Sequence, residues 1–78
     1  MSQFKRVVSI CKGRKWWTLR EIEDACILKF SEFDTQSAIS ARLRDHKQLE
    51  KLGLKQDRVG PDPKYLPKKL YKYRLIKI

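Results

Sequence analysis

The chain has 78 residues, of which 36% are charged, and its 19 lysines and arginines outnumber nine acidic residues to give a net charge of +10. A chain this short has no room for a catalytic domain joined to a regulatory one, so we expect a single domain over residues 1–78. Leu, Ile, Val and Phe supply 21 residues, which is enough for a folded core despite the high charge. A basic excess of this size in one domain is typical of nucleic-acid binding.

Several classes of protein are disfavoured by what the sequence lacks. No apolar run approaches the ~20 residues of a membrane span, and the first residues lack the apolar stretch of a signal peptide. We therefore expect no membrane association and a cytoplasmic location. Cys11 and Cys26 lie on apolar stripes, where we expect buried reduced thiols, and they share no metal-site spacing with His46. Because no nucleophile–base–acid set is visible, we expect no metal, no cofactor and no enzymatic activity.

The first residues predict a helix and a short extended segment. An apolar stripe at helical spacing favours a helix over about 3–12, and Gly13 is a natural stop because glycine accepts left-handed backbone angles. The stripe consists of Phe4, Val7, Val8 and Cys11. Aromatic residues favour a short strand over 15–17, with Trp17 facing the core and Trp16 exposed or on a partner surface.

Thr18 and Glu21 form the sequence pattern of a capping box, in which each side chain bonds the other residue's backbone amide. This pattern predicts a second helix over about 19–29. The end of this helix is more apolar than a one-sided helix needs, and we expect part of the surplus to line the following turn. The surplus residues are Ile27, Leu28, Phe30 and Phe33.

A third helix is predicted over about 35–52. Asp34 or Thr35 can cap its start, because both side chains accept hydrogen bonds from the first free backbone amides. Gly53 can end the helix with left-handed backbone angles. A break near 46–48 would divide this long helix into two parts.

The two faces of the third helix differ in character. Ile39 and Leu43 are the centre of an apolar stripe that we expect to pack on the core. Arg42 lies near this stripe, where it can pair with Asp45 or Glu21 or contact a phosphate. The opposite face is polar, with side chains at spacings of four, four and three residues: Gln36, Ser40, Arg44 and Lys47.

After the third helix, the spacing of apolar residues changes from the period of a helix to the alternation of a strand. Alternating residues over 54–59 and 70–78 predict two strands, and the run Gly60-Pro61-Asp62-Pro63 between them is turn chemistry. We expect the two strands to pair as an antiparallel hairpin. One face of the second strand carries Tyr71, Tyr73 and Leu75. The predicted fold class is α+β, with three helices, a short first strand and a C-terminal β-hairpin.

Three short segments of the sequence are similar to segments of a known protein family, and the predicted elements follow the same order. The runs WTLREI at 17–22 and TQSAISARLRD at 35–45 resemble small winged helix–turn–helix DNA-binding proteins of bacteriophages and prophages. The run YRL at 73–75 resembles the closing strand of that family. The resemblance covers about 16–78, and it is strongest over 35–45.

This resemblance implies a fold and a ligand class. The helix–turn–helix would occupy about 19–52 and the wing about 54–78, with the third helix as the recognition helix. The partner would be double-stranded DNA. Our leading hypothesis is therefore a duplex-DNA-binding module that serves as a phage or prophage regulator in a bacterial host cell.

Apart from the resemblance, the third helix carries side chains that can recognise bases. Gln36 can bond adenine through two hydrogen bonds, Arg44 can bond guanine, and the hydroxyls of Ser37 and Ser40 can bond either base. The N-terminal residues of a recognition helix reach base edges in the major groove. The alternative is an ordinary solvated helix face, because exposed helix faces are usually polar.

Basic side chains and one threonine are candidates for phosphate contacts, which are independent of sequence and weaken with salt. The candidates are Thr35, Lys47, Lys64, Lys68, Lys69 and Lys72. The lysines of the wing could instead prevent the hairpin edge from associating with other sheets. Lys12, Arg14 and Lys15 could add phosphate contacts at the flank.

Two other functions stay open on sequence alone. The chain could be a protein-interaction adaptor that docks a host or phage replication or transcription protein, through an exposed Trp16 and the surplus apolar residues. It could also bind RNA through its basic ends. Because the chain carries almost nothing beyond the core module, we expect a monomer in solution.

Overall fold

The computed structural model describes residues 2–60 and 71–78, and this part of the chain is α+β, as predicted. It contains four helices and a two-stranded antiparallel sheet. The elements are α1 (Gln3–Cys11), α2 (Leu19–Phe30), α3 (Gln36–Leu43), α4 (His46–Lys51), β1 (Leu54–Val59) and β2 (Lys72–Lys77). Helix α1 packs against α2, α3 and β2, α2 packs against α3, and α4 packs against β1. None of the described helices is long and apolar enough to cross a membrane.

The first two helices begin at their capping residues. Ser2 Oγ accepts a hydrogen bond from the Lys5 amide at 3.2 Å and starts α1. In the capping box of α2, Thr18 Oγ1 accepts from the Glu21 amide at 3.2 Å and Glu21 Oε1 accepts from the Thr18 amide at 2.9 Å. Ser31, with a left-handed φ of 55°, follows the end of α2. Both predicted helices are confirmed to within one residue at either end.

The predicted third helix is two helices. Asp45 caps α4 because its carboxylate accepts from the backbone amide of Gln48 at 3.4 Å and from the side-chain amide at 2.6 Å. The break that the sequence allowed within 35–52 is present, so the described chain has four helices and not three, since a capping aspartate competes with continuation of the helix that precedes it. The break lies at 44–45 and not near 46–48.

The start of α3 and the end of α4 lie next to the capping residues that the sequence indicates. Thr35, and not Asp34, caps α3, because Thr35 Oγ1 accepts a hydrogen bond from the Ala38 amide at 3.2 Å. Gly53 follows α4 with a φ of 70°, a backbone angle that glycine adopts without steric cost. The polypeptide then enters β1 directly.

The two strands form the predicted antiparallel hairpin. Strand β1 has the predicted limits, and β2 covers the inner part of the predicted second strand. Leu54 lies opposite Lys77 in the pairing register. On β2, the side chains of Tyr73 and Leu75 are buried in the core. The alternation seen in the sequence therefore distinguishes the buried face of β2 correctly.

The short strand predicted over 15–17 was wrong, because this segment forms only isolated backbone bridges. The amide and carbonyl of Trp17 pair with Tyr73 at 2.8 and 2.7 Å, and Lys12 makes a separate bridge to Leu75. Gly13, with a φ of 131°, turns the chain between the two bridges. The segment therefore touches the sheet at two points without continuing along it.

One apolar cluster joins the helices to the hairpin. Its buried members in the described part of the chain are Val7, Ile10, Cys11, Ile22, Cys26, Ile39, Leu43, Leu49, Leu54, Tyr73 and Leu75. Ile39 and Leu43 of α3 are fully buried, as predicted. Trp17 packs against the cluster, also as predicted.

Two large apolar side chains near the end of α2 lie at the surface. Leu28 is 87% exposed and Phe33 is 86% exposed, whereas Ile27 and Phe30 are half-buried. The expectation that Phe33 lines the turn was wrong, because the neighbouring Asp34 turns inward to meet α1.

Candidate nucleic-acid interface

The outer face of α3 holds a shallow depression of about 340 Å³. Its lining consists of Leu19, Gln36, Ser37, Ser40 and Arg44. The structure therefore brings together the four side chains that the sequence predicts as base readers, and within residues 2–60 and 71–78 no acidic side chain lines the depression. Gln36 and Ser37 are exposed and Ser40 is half-buried, so amide and hydroxyl groups are accessible from outside.

Arg44 lies at the C-terminal end of this depression. Its backbone amide caps α3 through the Ser40 carbonyl at 3.1 Å, and its side chain is exposed. The guanidinium forms no ion pair or hydrogen bond with residues 2–60 or 71–78. It is therefore available to an external acceptor, about two helical turns from Gln36.

Lys47 does not share this face. The prediction placed it one turn beyond Arg44 on a continuous helix, but Lys47 belongs to α4 and does not line the depression. The prediction was wrong because Asp45 starts a new helix between them. Lys47 is exposed, and contact with a phosphate outside the depression stays a prediction.

Leu19 is a lining residue that the sequence analysis missed. It is the first residue of α2, and it is partly buried against the core. Apolar side chains in the major groove can contact the methyl group of thymine. No local signal points to this role, because Leu19 reaches the depression only through the packing of α2 on α3.

Arg42 forms neither of the pairs expected for it. Its Nε is buried and has no hydrogen-bond partner in the described part of the chain. Glu21 and Asp45, the two expected partners, are used as helix caps instead. Contact of Arg42 with a phosphate stays a prediction.

A buried ion pair fixes the start of α3 to α1. Asp34 is 4% exposed, and its carboxylate accepts from Arg6 Nε at 3.0 Å and Nη2 at 2.7 Å and from Gln3 Nε2 at 2.9 Å. These hydrogen bonds, that from Arg6 above all, lower the pKa of the Asp34 carboxyl although burial opposes the shift. The negative charge beside the N-terminus of α3 is thus compensated inside the fold.

Lys72 lies at the start of β2 with its side chain exposed. The hydrogen bond from the Thr18 amide lowers the pKa of the Glu21 carboxyl most, and the charges of Lys15 and Lys72 lower it further. Tyr73, the neighbour of Lys72, pairs with Trp17 through its backbone, and Lys15 precedes the N-cap Thr18 by three residues, so both lysines lie near the N-terminus of α2, the end that brings Leu19 to the depression. The other predicted wing contacts, Lys64, Lys68 and Lys69, lie outside the described residues.

Arg74 ties the segment before α2 to the sheet. Its guanidinium bonds the carboxylate of Asp57 on β1 at 2.9 Å and donates to the carbonyl of Arg14 at 3.2 Å. It also lies 4.1 Å from the centre of the Trp16 ring. The expectation of an exposed Trp16 was wrong, because this cation–π contact leaves the ring half-buried.

Both cysteines are buried free thiols, as predicted. Burial raises the pKa of Cys11 to about 12 and that of Cys26 to about 11, so both are protonated at neutral pH. Within residues 2–60 and 71–78, no group of three or more His, Cys, Asp or Glu side chains could hold a metal ion.

Within residues 2–60 and 71–78, the groups available to an external ligand on this side are those of the α3 depression, Arg44 among them, and the lysines near the N-terminus of α2. No protein-family model, curated protein or solved structure that was compared with the chain matches it.

Proposed function

We propose that the chain is a winged helix–turn–helix protein that binds duplex DNA, with α3 in the major groove and the β1–β2 hairpin as a wing against the phosphates. Helices α2 and α3 are the helix–turn–helix, and α4 links α3 to the wing. The observation that carries the proposal is the α3 depression, which gathers four potential base readers and no acidic side chain from the described part of the chain. In this role the protein would be a phage or prophage regulator that acts by binding DNA, and it would not be an enzyme.

The side chains of the depression match different base edges. The Gln36 amide can donate to and accept from adenine, and the planar fork of Arg44 fits O6 and N7 of guanine. Ser37 and Ser40 can bond either base, and Leu19 offers an apolar contact to a thymine methyl group. These contacts together could read a short run of base pairs along one face of the major groove.

The surroundings of the depression suit a phosphate backbone. Thr35 Oγ1 accepts a hydrogen bond from the Ala38 amide. The hydroxyl hydrogen of Thr35 can therefore donate to a phosphate. Lys15 and Lys72 are exposed near the N-terminus of α2, where the backbone of Trp17 pairs with that of Tyr73. Binding through such groups releases counterions, so affinity should fall steeply as salt rises.

The exposed Leu28 and Phe33 favour a second candidate function, the docking of a partner protein. Large apolar side chains held in solvent mark interaction surfaces when they are grouped. A protein-interaction adaptor would use these residues of α2 and the following turn, and it would not need the side chains of the α3 depression.

Selection of bound sequences from a random duplex pool tests the first function. We expect enrichment of one duplex sequence, with weaker binding of that site as single-stranded DNA or RNA and a steep loss of affinity with salt. Gln36→Ala combined with Arg44→Ala should abolish the sequence preference but retain salt-dependent binding. The matched control, Leu28→Ala combined with Phe33→Ala, should retain both.

The two candidate functions give opposite results in this experiment. Failure to enrich any duplex sequence, together with equal binding of duplex, single strands and RNA, would refute DNA readout by α3. Retention of sequence preference in the Gln36→Ala, Arg44→Ala variant would also refute it.

A further inference from the structure

A groove between α1 and α4 lies apart from the α3 depression. Its volume is about 620 Å³, a size common among ligand-binding clefts. It stays open because α1 packs against α2, α3 and β2, whereas α4 packs against β1. No residue that lines the α3 depression lines this groove, so the proposed DNA contacts leave it unused.

The floor of the groove is apolar. Phe4 and Val8, one turn apart on α1, are half-buried and pack against the core, which holds them in place. Leu52, the residue after α4, lines the same groove and is 54% exposed. Apolar side chains held on two elements are the receiving surface that an amphipathic helix needs.

The rim of the groove is basic. Lys5, Lys12 and Lys51 line it with exposed side chains. The other polar residues of the lining are neutral: Ser2, Ser9 and Gln48. Because none of the described residues that line the groove is acidic, its charge is complementary to an acidic ligand.

We propose that this groove binds an acidic amphipathic helix of a partner protein, with the apolar stripe of that helix on the floor and its carboxylates against the rim lysines. A phosphate backbone would match the lysines but would leave the apolar floor without a partner. The site is distinct from the exposed Leu28 and Phe33, which belong to α2 and the turn after it. The proposal does not depend on DNA binding by α3.

The probe for this site is a designed peptide of about 18 residues, in which leucines recur at i, i+3, i+4 and i+7 and glutamates flank the leucine stripe. Titration of the full chain with the peptide, followed by 1H–15N NMR, should shift the amides of 4–12 and 48–52. The amides of 36–40 on α3 should stay in place. A second peptide with lysines in place of the glutamates should not bind the groove.

Matched variants separate the basic rim from general charge attraction. Lys51→Glu should weaken peptide binding roughly fivefold by replacing attraction with repulsion, whereas Lys55→Glu, an equal charge change on β1, should not. Leu52→Ser should weaken binding roughly tenfold through lost apolar contact, whereas Leu28→Ser should leave it unchanged. All four side chains are exposed, so thermal unfolding should match that of the parent.

Three results would overturn the proposal. The first is an absence of peptide-induced shifts in the groove, and the second is an equal effect of Lys51→Glu and Lys55→Glu. The third is a shift of the groove amides by duplex DNA but not by the acidic peptide, which would make the groove a nucleic-acid surface.

Discussion

The Asp34 carboxylate is held by two side chains of α1 while the next residue, Thr35, caps α3. A carboxylate removed from water is stable only when such donors replace its hydration. Its two hydrogen bonds from Arg6 form a charged fork, which fixes direction as well as distance. Asp34 is therefore the residue through which α1 holds the start of the proposed recognition helix.

We predict that this contact stabilises the fold at neutral pH and is lost in acid. The pKa of Asp34 in the fold is lowered below its unfolded value of about 3.9, so the stabilisation is present above about pH 4 and lost as pH falls through the folded pKa. Asp34→Asn should lower the free energy of unfolding by about 1.5–3 kcal/mol at neutral pH. Urea unfolding should show the gap between parent and variant closing in acid. A gap that is constant with pH would contradict this role.

The two thiols should be unreactive in the folded protein. Burial raises the pKa of Cys11 to about 12 and that of Cys26 to about 11, so thiolate is scarce at neutral pH and reagents have no access. A disulfide reagent at mildly alkaline pH should label neither residue in buffer and both in urea. Rapid labelling of either cysteine in buffer would show that its thiol is accessible in the folded protein, which would contradict its burial.

The position of α3 depends on two side chains that face away from the depression. Ile39 and Leu43 are both 0% exposed, and they join the cluster formed by α1, α2 and the hairpin. A short helix has little stability of its own, so this packing keeps α3 in place. The polar face of α3 can therefore be devoted to binding.

We predict that Leu43→Ala lowers the free energy of unfolding by ~2–5 kcal/mol, through lost burial and the cavity that remains. The matched control is Leu28→Ala, which truncates the same side chain at an exposed position of α2 and should change stability by less than ~0.5 kcal/mol. Urea unfolding followed by tryptophan fluorescence measures both. Equal stabilities for the two variants would mean that the faces of α3 are assigned the wrong way round.

Elements whose limits depend on local chemistry were predictable from the sequence. The capping box of α2 and the alternation of β2 are each contained in a few residues. The break before α4 was misplaced although a signal existed, because Asp45 followed by Gln48 has the spacing of a capping box. The pairing of Asp34 with Arg6 and the place of Leu19 had no local signal, since both depend on how the helices pack.

The hairpin should contribute charge without sequence preference. Lys72→Ala is expected to weaken binding to all duplexes evenly and to reduce the magnitude of the salt slope by ~0.9, the loss of one phosphate contact. Lys5→Ala, an equal loss of charge on α1, should leave the slope unchanged. Affinities measured over a range of salt concentrations decide the matter. An altered ranking of duplex sequences in Lys72→Ala would contradict a phosphate role.

At the scale of the whole molecule, none of the described acidic residues lines the α3 depression. Residues 21–50 contain seven acids and four bases. Glu21 and Asp45 serve as helix caps, and Asp34 is buried against Arg6. The basic excess lies in residues 1–20 and 51–78. Although residues 21–50 have a slight excess of acids, the chain can therefore still present a binding face suited to a polyanion.

The most direct test of DNA readout by α3 is the effect of Arg44 on base preference. Affinities of the parent, Arg44→Ala and Arg44→Lys are measured for the selected duplex and for each of its single-base variants. Arg44→Ala should lose about 1–3 kcal/mol of discrimination at one base pair, and Arg44→Lys should lose part of it, because an ammonium group lacks the planar fork that matches guanine O6 and N7. Both variants should keep the parent's preferences elsewhere. Arg58→Ala, on β1, should keep every preference. If both Arg44 variants rank all the single-base variants as the parent does, Arg44 reads no base, which would contradict DNA readout by α3.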